Sequence, residues 1–441
     1  MVKRVAILGA GISGLSTAYF LRKNRPDVAI DVYEQSPRLG GVIHSDMVDG
    51  CVVDGGPDSF LTQKSAGIEL CREIGLEDQL AGSQDQIRKT RIFYHGELKD
   101  LPDGLFLMVP FRILPFAKSE LLSWPGKLAA LSDLIAEPEE ADLPVAQFVE
   151  NRFGSEVLEL IAEPLLSGVY GADVHRLGLQ AALPQVWEWQ KKGSLISAAR
   201  SQRSGNRLSG SIFTTLSKGM GALIDALAEH TPAVNWKLSE SVDEARDSGS
   251  KWTVAQNEYD VLILANANPP AGIGENIRSV YDSIRRNSAI VVVLGFDGLH
   301  RQGFGWLVPA VERRTVLACT YLSNKFAGRS APGRFVIRLF IGGDAAMKWM
   351  DKSDSEILTE IRSEILRIDG IDREPLFFRI YKWRNAMPEY AVGHLNKIAM
   401  LDQISKSQPN LLFTGNLFYG VGLSDCIRHA KETALRASEV L

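Results

Sequence analysis

The first 34 residues constrain the chain more than any other stretch. In RVAILGAGISGLSTAYFLRK the apolar run Val5 to Leu8 reads as a strand, Gly9, Gly11 and Gly14 fall at GxGxxG spacing, and Leu15, Ala18, Tyr19 and Leu21 continue at helical intervals. A second strand, AIDVYE, ends in Glu34, followed by Gln35. The glycines have separate duties. Gly9 permits the tight turn, Gly11 lets the backbone approach a pyrophosphate, and Gly14 lets helix and strand pack closely. A pyrophosphate over the turn formed with Ala10, Ile12 and Ser13 would rest on the helix N-terminus, and Glu34 would accept hydrogen bonds from an adenosine ribose. The expectation is a Rossmann-like α/β unit that binds a dinucleotide. NAD and FAD share this much.

The far end of the chain repeats the theme. LLFTGNLFYGVGLSDCI couples a short apolar run to a glycine-rich turn and a helix start, with little sequence left to complete a second unit. In the helix after this turn, Ile427, Ala430, Ala434 and Ala437 form one small apolar face suited to packing on a sheet.

Bulk properties set the limits. At 441 residues the chain exceeds what one core usually serves, so more than one domain is expected. A hydrophobic share of 45%, a charged share of 23% and a net charge of −4 describe a globular protein with no global attraction to nucleic acid. Cys51, Cys71, Cys319 and Cys426 lie far apart and form no metal-ligand pattern, so a reducing, cytoplasmic setting without a structural metal is expected. No window offers the roughly 18 uninterrupted apolar residues of a membrane span.

The stretch after Glu34 separates the cofactors. QSPRLGGVIHS offers Arg38 and the unhindered turn at Gly40 and Gly41, and DGGPDSFL comes next at residues 54–61. Together with the opening motif these resemble the flavin-containing amine oxidase superfamily, and GPDSF most resembles its protoporphyrinogen oxidase branch. Further blocks continue the resemblance in order: RFGSEVLELIAEPLLSGVYGAD, LPQVWEWQKKGSL, SKGMGALIDALAE, YKWRNAMPEYAVGHL and the C-terminal stretch. GADVHRLGLQAALP is looser than the family pattern, and Val42 stands at a position that varies within it.

The resemblance implies FAD, with Gly41, Val42, Gly56, Pro57, Asp58 and Ser59 along its flavin side, Val242 holding adenine through its backbone, and Trp383 near the flavin. From Gly415 onward the last strand completes the sheet, and Val421, Gly422 and Leu423 aim backbone N–H groups at the flavin pyrimidine edge. It also implies a discontinuous FAD domain (1–63, 213–270, 400–441), a mixed-sheet substrate domain (64–92, 271–399) and a mainly helical insertion (93–212).

The implied reaction is oxidation of a porphyrinogen, coproporphyrinogen III or protoporphyrinogen IX, with dioxygen or another acceptor taking the electrons. No catalytic residue is assigned, since the flavin carries the chemistry, and His44 and His394 are read as structural. Arg91 matches a family arginine that can pair with a propionate; a solvated strand-start charge is the competing reading. Lys89, Arg200, Arg203 and Arg207 are further cations that a four-carboxylate substrate could use. GLFLMVPFRILPF (104–116) is a membrane-docking surface, a buried helix or the lining of a channel, and periodicity does not separate these. Another flavin oxidase acting on an amine or polyene, and a silent FAD-binding subunit of the haem pathway, stay open as alternatives, as does contact with a downstream haem-pathway enzyme.

Overall fold

Uninterrupted apolar runs such as Val5–Leu8 and Val261–Leu264 suit strands covered on both faces. In the computed structural model, which describes residues 2–205 and 211–441, they form the centre of a five-stranded sheet. Its order is Val234–Leu238, Ala29–Glu34, Arg4–Leu8, Val261–Leu264 and Leu411–Phe413, and every neighbouring pair is parallel. Strand alternation divides the core. Val5, Ile7, Ile30, Val32, Val261, Ile263 and Leu412 pack with the helices Ile12–Asn24, Gly221–Glu229 and Leu423–Val440. Ala6, Leu8, Leu262, Leu264, Leu411 and Phe413 face Trp252, Tyr259, Ile277 and Tyr281 on the other side. The chain therefore opens and closes on one sheet.

A second, seven-stranded sheet runs in the order Phe377–Pro388, Arg286–Asp297, Arg334–Gly342, Ala318–Tyr321, Gly305–Leu307, Thr90–Tyr94 and Glu97–Asp100. The pair Gly305–Leu307 and Thr90–Tyr94 is parallel and the others antiparallel. Helix Asp354–Asp369, opened by a capping box at Ser353, covers one face. Phe335, Ile337, Leu339 and Ile341 point to it, whereas Val336 and Phe340 lie on the opposite face with Val291, Val293, Tyr381 and Trp383. A mostly helical segment has its own core and touches the sheet at Ile92 and Leu307.

Two expectations change and one open alternative is decided. The second sheet continues to Asp100, past the boundary expected at residue 92. The stretch before the buried strand Val261–Leu264 reads in the sequence as two strands with a turn at Ser248 to Ser250, but it forms three short ones, Ala245–Asp247, Trp252–Val254 and Asn257–Tyr259. Within 104–116, Met108, Val109, Pro110 and Phe116 are buried, so this stretch belongs largely to the helical core.

Candidate active site

Three segments converge at the carboxyl edge of the parallel sheet. Gly9 N–H donates to Tyr33 O (2.8 Å), Ala265 N–H to Leu8 O (2.9 Å) and Thr414 N–H to Leu264 O (2.9 Å), so the ladder runs past the strand ends. Gly9 and Gly415 consequently both lie against Ala265. A Cβ on Gly14 would stand 1.9 Å from Gly9 O, and only glycine lets the helix Ile12–Asn24 begin so close to the turn. At Gly11 a Cβ would meet nothing within 4 Å. That position is an open notch in front of unpaired helix N–H groups, with Ala10, Ile12 and Ser13 buried around it, and it fits a pyrophosphate.

Glu34 ties this turn to the second strand. Its Oε2 accepts from Ala10 N–H and its Oε1 from Ser36 N–H, both at 2.8 Å, and each oxygen keeps a lone pair for a ribose hydroxyl. Ser239 and Glu240 donate backbone N–H groups to Ser36 O and Glu34 O, which brings the loop carrying half-buried Val242 to the same edge; Gln35 is exposed. Arg38 donates to the carbonyls of Leu39, Gly41 and Ile43, so its guanidinium is wrapped by the glycine loop, 5.8 Å from the Trp383 ring.

Trp383 links the two sheets. Its Nε1–H donates to Gly55 O at 2.7 Å. Beside that bond a Cβ on Gly56 would lie 1.9 Å from Val42 O, so Val42 and Gly56 close on each other. Pro57 and Ser59 are half-buried. Asp58 departs from expectation. Its carboxylate accepts from Ser59 Oγ (2.7 Å) and Lys325 Nζ (3.1 Å) and lies 3.3 Å from Arg338 Nη1, so the side chain is committed to the second sheet and only the loop backbone is left for a cofactor. These cations, aided by Ser59, outweigh the cost of burial and hold its pKa well below the usual carboxylate range.

At the C-terminal turn, Gly420 N–H donates to Tyr390 Oη (2.8 Å), which in turn donates to Asn416 O. Gly422 precedes the helix Leu423–Val440, so half-buried Val421, Gly422 and buried Leu423 stand where a helix start offers free N–H groups and a positive dipole end. Cys426 is buried one turn in, its thiol pushed up to about 12 by burial, and is a packing residue.

His394 and His429 are buried and stacked on Tyr390 and Tyr419. Burial pushes their pKa values down to about 4 and about 3. Unfolded, each takes a proton near pH 6.5; folded, neither does above pH 4. The unfolded state thus binds more protons in that window, and stability drops as pH falls through it. Each costs about 2 kcal/mol at pH 5. The loss of unfolding free energy between pH 7 and pH 5 is accordingly expected to be smaller by that amount in His429→Gln, as read by denaturant titration. Equal losses in parent and variant would contradict it.

Arg91 requires a correction. It shares a strand face with Phe93, and its Nη2–H donates at 3.1 Å to Tyr321 Oη, which is bonded to Asp369. Its side chain therefore points to the Asp354–Asp369 helix, away from the face that carries Trp383. Lys89 pairs with Asp100 at 2.7 Å, and Arg200 Nε donates to Phe111 O. Arg203 and Arg207 lie outside the residues whose side chains are described. Arg338, on the strand face that carries Trp383, and Lys325, which meets Asp58 of the loop after Gly56, escape a reading of sequence alone. The alternation of RFVIRLFIGG is the one sequence signal for Arg338, useful only once the covered face is known, and Lys325, at the end of the short helix Leu322–Lys325, has none.

A βαβ turn with a capping acid, a loop that bridges to a mixed sheet and a closing C-terminal helix define a dinucleotide-binding oxidoreductase fold. The family model described as flavin containing amine oxidoreductase matches residues 12–437, and the chain belongs to that family. It is a flavoprotein, and its cofactor is FAD. The chain is 30% identical to the coproporphyrinogen III oxidase of Staphylococcus aureus, with 98% of each chain covered. It is 26% identical to chloroplastic protoporphyrinogen oxidase 1 of Arabidopsis thaliana, covering 99% of this chain and 88% of that one. A crystal structure of an Exiguobacterium protein designated a protoporphyrinogen oxidase shares the fold at TM-score 0.88 and 24% identity, covering 100% of this chain and 99% of that one.

Proposed function

We propose that this chain uses FAD to oxidise a porphyrinogen to the porphyrin in haem biosynthesis. The observation that carries the reading is the junction at Gly55 and Gly56: the loop beside the dinucleotide notch is bonded to Trp383 and Arg338 of the second sheet, so cofactor and sheet face share one wall. Bound flavin supplies the acceptor for a hydride and relays the electrons to dioxygen. Six hydrogens leave the macrocycle in three two-electron steps, so each porphyrin formed reduces three dioxygen molecules to three hydrogen peroxide molecules.

The chain's own part is placement. Leu307, Ala318 and Phe340, bordered by the helix Glu163–Tyr170, give an apolar surface for a flat tetrapyrrole and keep water from it. Tyr390 fixes the Gly420 turn and with it the following helix start, whose free N–H groups would stabilise the negative charge a bound flavin takes on when reduced. The flavin-loaded protein is expected to convert coproporphyrinogen III to fluorescent porphyrin with three peroxides per porphyrin. Consumption of an amine with no porphyrin formed would assign it instead to an amine-oxidising member of the family.

An exposed apolar patch on the helical segment also suggests a lipid surface as a partner. No described helix is long and apolar enough to cross a membrane. Between residues 114 and 135, however, Leu114 (67% exposed), Trp124 (68%), Leu128 (66%) and Ile135 (87%) point to solvent, with Lys127 Nζ 4.6 Å from the Trp124 ring. Exposed aromatic and aliphatic side chains beside lysines suit an anionic interface. Cosedimentation with vesicles containing phosphatidylglycerol is expected to fall about tenfold in Trp124→Ser/Ile135→Ser; unchanged binding would remove this surface.

A further inference from the structure

Lys325, Arg338 and Asp58 leave an unbalanced charge beside the cofactor loop. Arg338 lies on the strand Arg334–Gly342 between Val336 and Phe340, and donates through Nη2 to Gly56 O, so it sits on the face that looks toward the notch. Lys325 reaches Asp58 from the other side and is walled by the rings of Phe213 (4.6 Å) and Phe326 (4.9 Å). The side chains of Lys325, Arg338 and Asp58 are only 12%, 18% and 10% exposed. Next to them, Asp54 is neutralised by its own partner, Arg329, and Thr215 bridges the two groups through Arg329 Nη1 and Asp58 O. Three cations thus meet two carboxylates, and no further carboxylate pairs with Lys325 or Arg338 among the described residues. A buried charge without a counter-charge is costly, and a fork guanidinium beside an ammonium is the usual receptor for a carboxylate.

Building on the functional reading above, we propose that Arg338 and Lys325, held apart by Asp58, bind one propionate of the porphyrinogen and select the substrate that carries a propionate on every ring. Protoporphyrinogen has propionates on two adjacent rings only, so it can enter with a carboxylate-free edge leading and keep its anions in solvent. Coproporphyrinogen has no such edge. Whichever side lies by the flavin brings a carboxylate with it, and a net positive charge at Gly56 is what that edge needs.

The test uses Arg338→Gln, in which Asp58 keeps Lys325 and Ser59 and the new amide can still donate to Gly56 O, and Arg338→Lys, which restores the charge without the fork. With flavin content matched to the parent, the KM for coproporphyrinogen III is expected to rise about tenfold or more in Arg338→Gln and about threefold or less for protoporphyrinogen IX, with kcat little changed and Arg338→Lys partly rescued. Unchanged KM for both substrates, or equal rises for both, overturns the selection. So does an unchanged KM with a shifted flavin midpoint potential, which would assign the cation to the cofactor. A parent protein that turns over neither porphyrinogen contradicts the functional reading and leaves the site to be judged by titration with coproporphyrin III. Weaker binding to Arg338→Gln than to parent then supports it, and equal binding sinks it.

Discussion

Glu34→Ala is expected to purify with most of its flavin lost. The carboxylate holds Ala10 N–H and Ser36 N–H at 2.8 Å each and has lone pairs left for the ribose, so alanine removes the loop tether and the cofactor contact together. A charge-assisted hydrogen bond of this kind contributes about 1.5–3 kcal/mol, which corresponds to an FAD affinity weaker by about ten- to a hundredfold. Visible absorbance per mole of protein, followed by FAD titration of stripped protein, measures it. Glu34→Gln, which keeps one acceptor oxygen, should fall between. Full occupancy in Glu34→Ala would show that the ribose is held by other groups.

The second large effect concerns stability. Asp54 and Arg329 are buried at 1% and 3% side-chain exposure and bond each other; Asp54 Oδ1 also accepts from Ser45 Oγ and from Met220 N–H (3.0 Å). Arg329→Met leaves a carboxylate sealed in the protein with two neutral donors and no cation. Removal of one partner from such a pair costs about 3–5 kcal/mol, so the denaturant midpoint should fall sharply. Replacing both, Asp54→Leu with Arg329→Met, removes the stranded charge and should recover much of the loss. A double variant as unstable as the single one would place the damage in the packing around the pair rather than in the charge.

The sequence and the fold agree where one residue type has one physical use. Gly14 must be glycine because Gly9 O leaves no room for a Cβ, so a GxGxxG turn with an acid at the end of the next strand is readable without coordinates. The apolar runs AIVVVLGF and RFVIRLFIGG read as strands from the sequence alone, and they supply the strands Arg286–Asp297 and Arg334–Gly342. The hairpin at 252–259 was not legible in this way. Its turn residues, Ala255 and Gln256, both have positive φ, 45° and 66°, a conformation that Asn-Gly ordinarily announces and Ala-Gln conceals. The faces of the second sheet were hidden for another reason. Arg91 and Arg338 each stand in an alternating strand, and alternation says which residues share a face but not which face meets the cofactor. That depends on where the helix Asp354–Asp369 packs, far away in the sequence. The same limit left 104–116 open between a surface and a buried segment; it fills the helical core, and the exposed apolar side chains come mostly after it.

The reaction proposed for this chain passes electrons from a porphyrinogen to FAD, for which the Gly9–Gly14 turn and the Gly422 helix start are the proposed seats. The most direct measurement is rapid anaerobic mixing of flavin-loaded protein with coproporphyrinogen III, followed at the visible flavin band. Bleaching of that band within turnover time, with its return on admission of air and porphyrin formed in step, is the predicted result. A flavin that stays oxidised with both porphyrinogens, yet bleaches with an amine, would contradict the account.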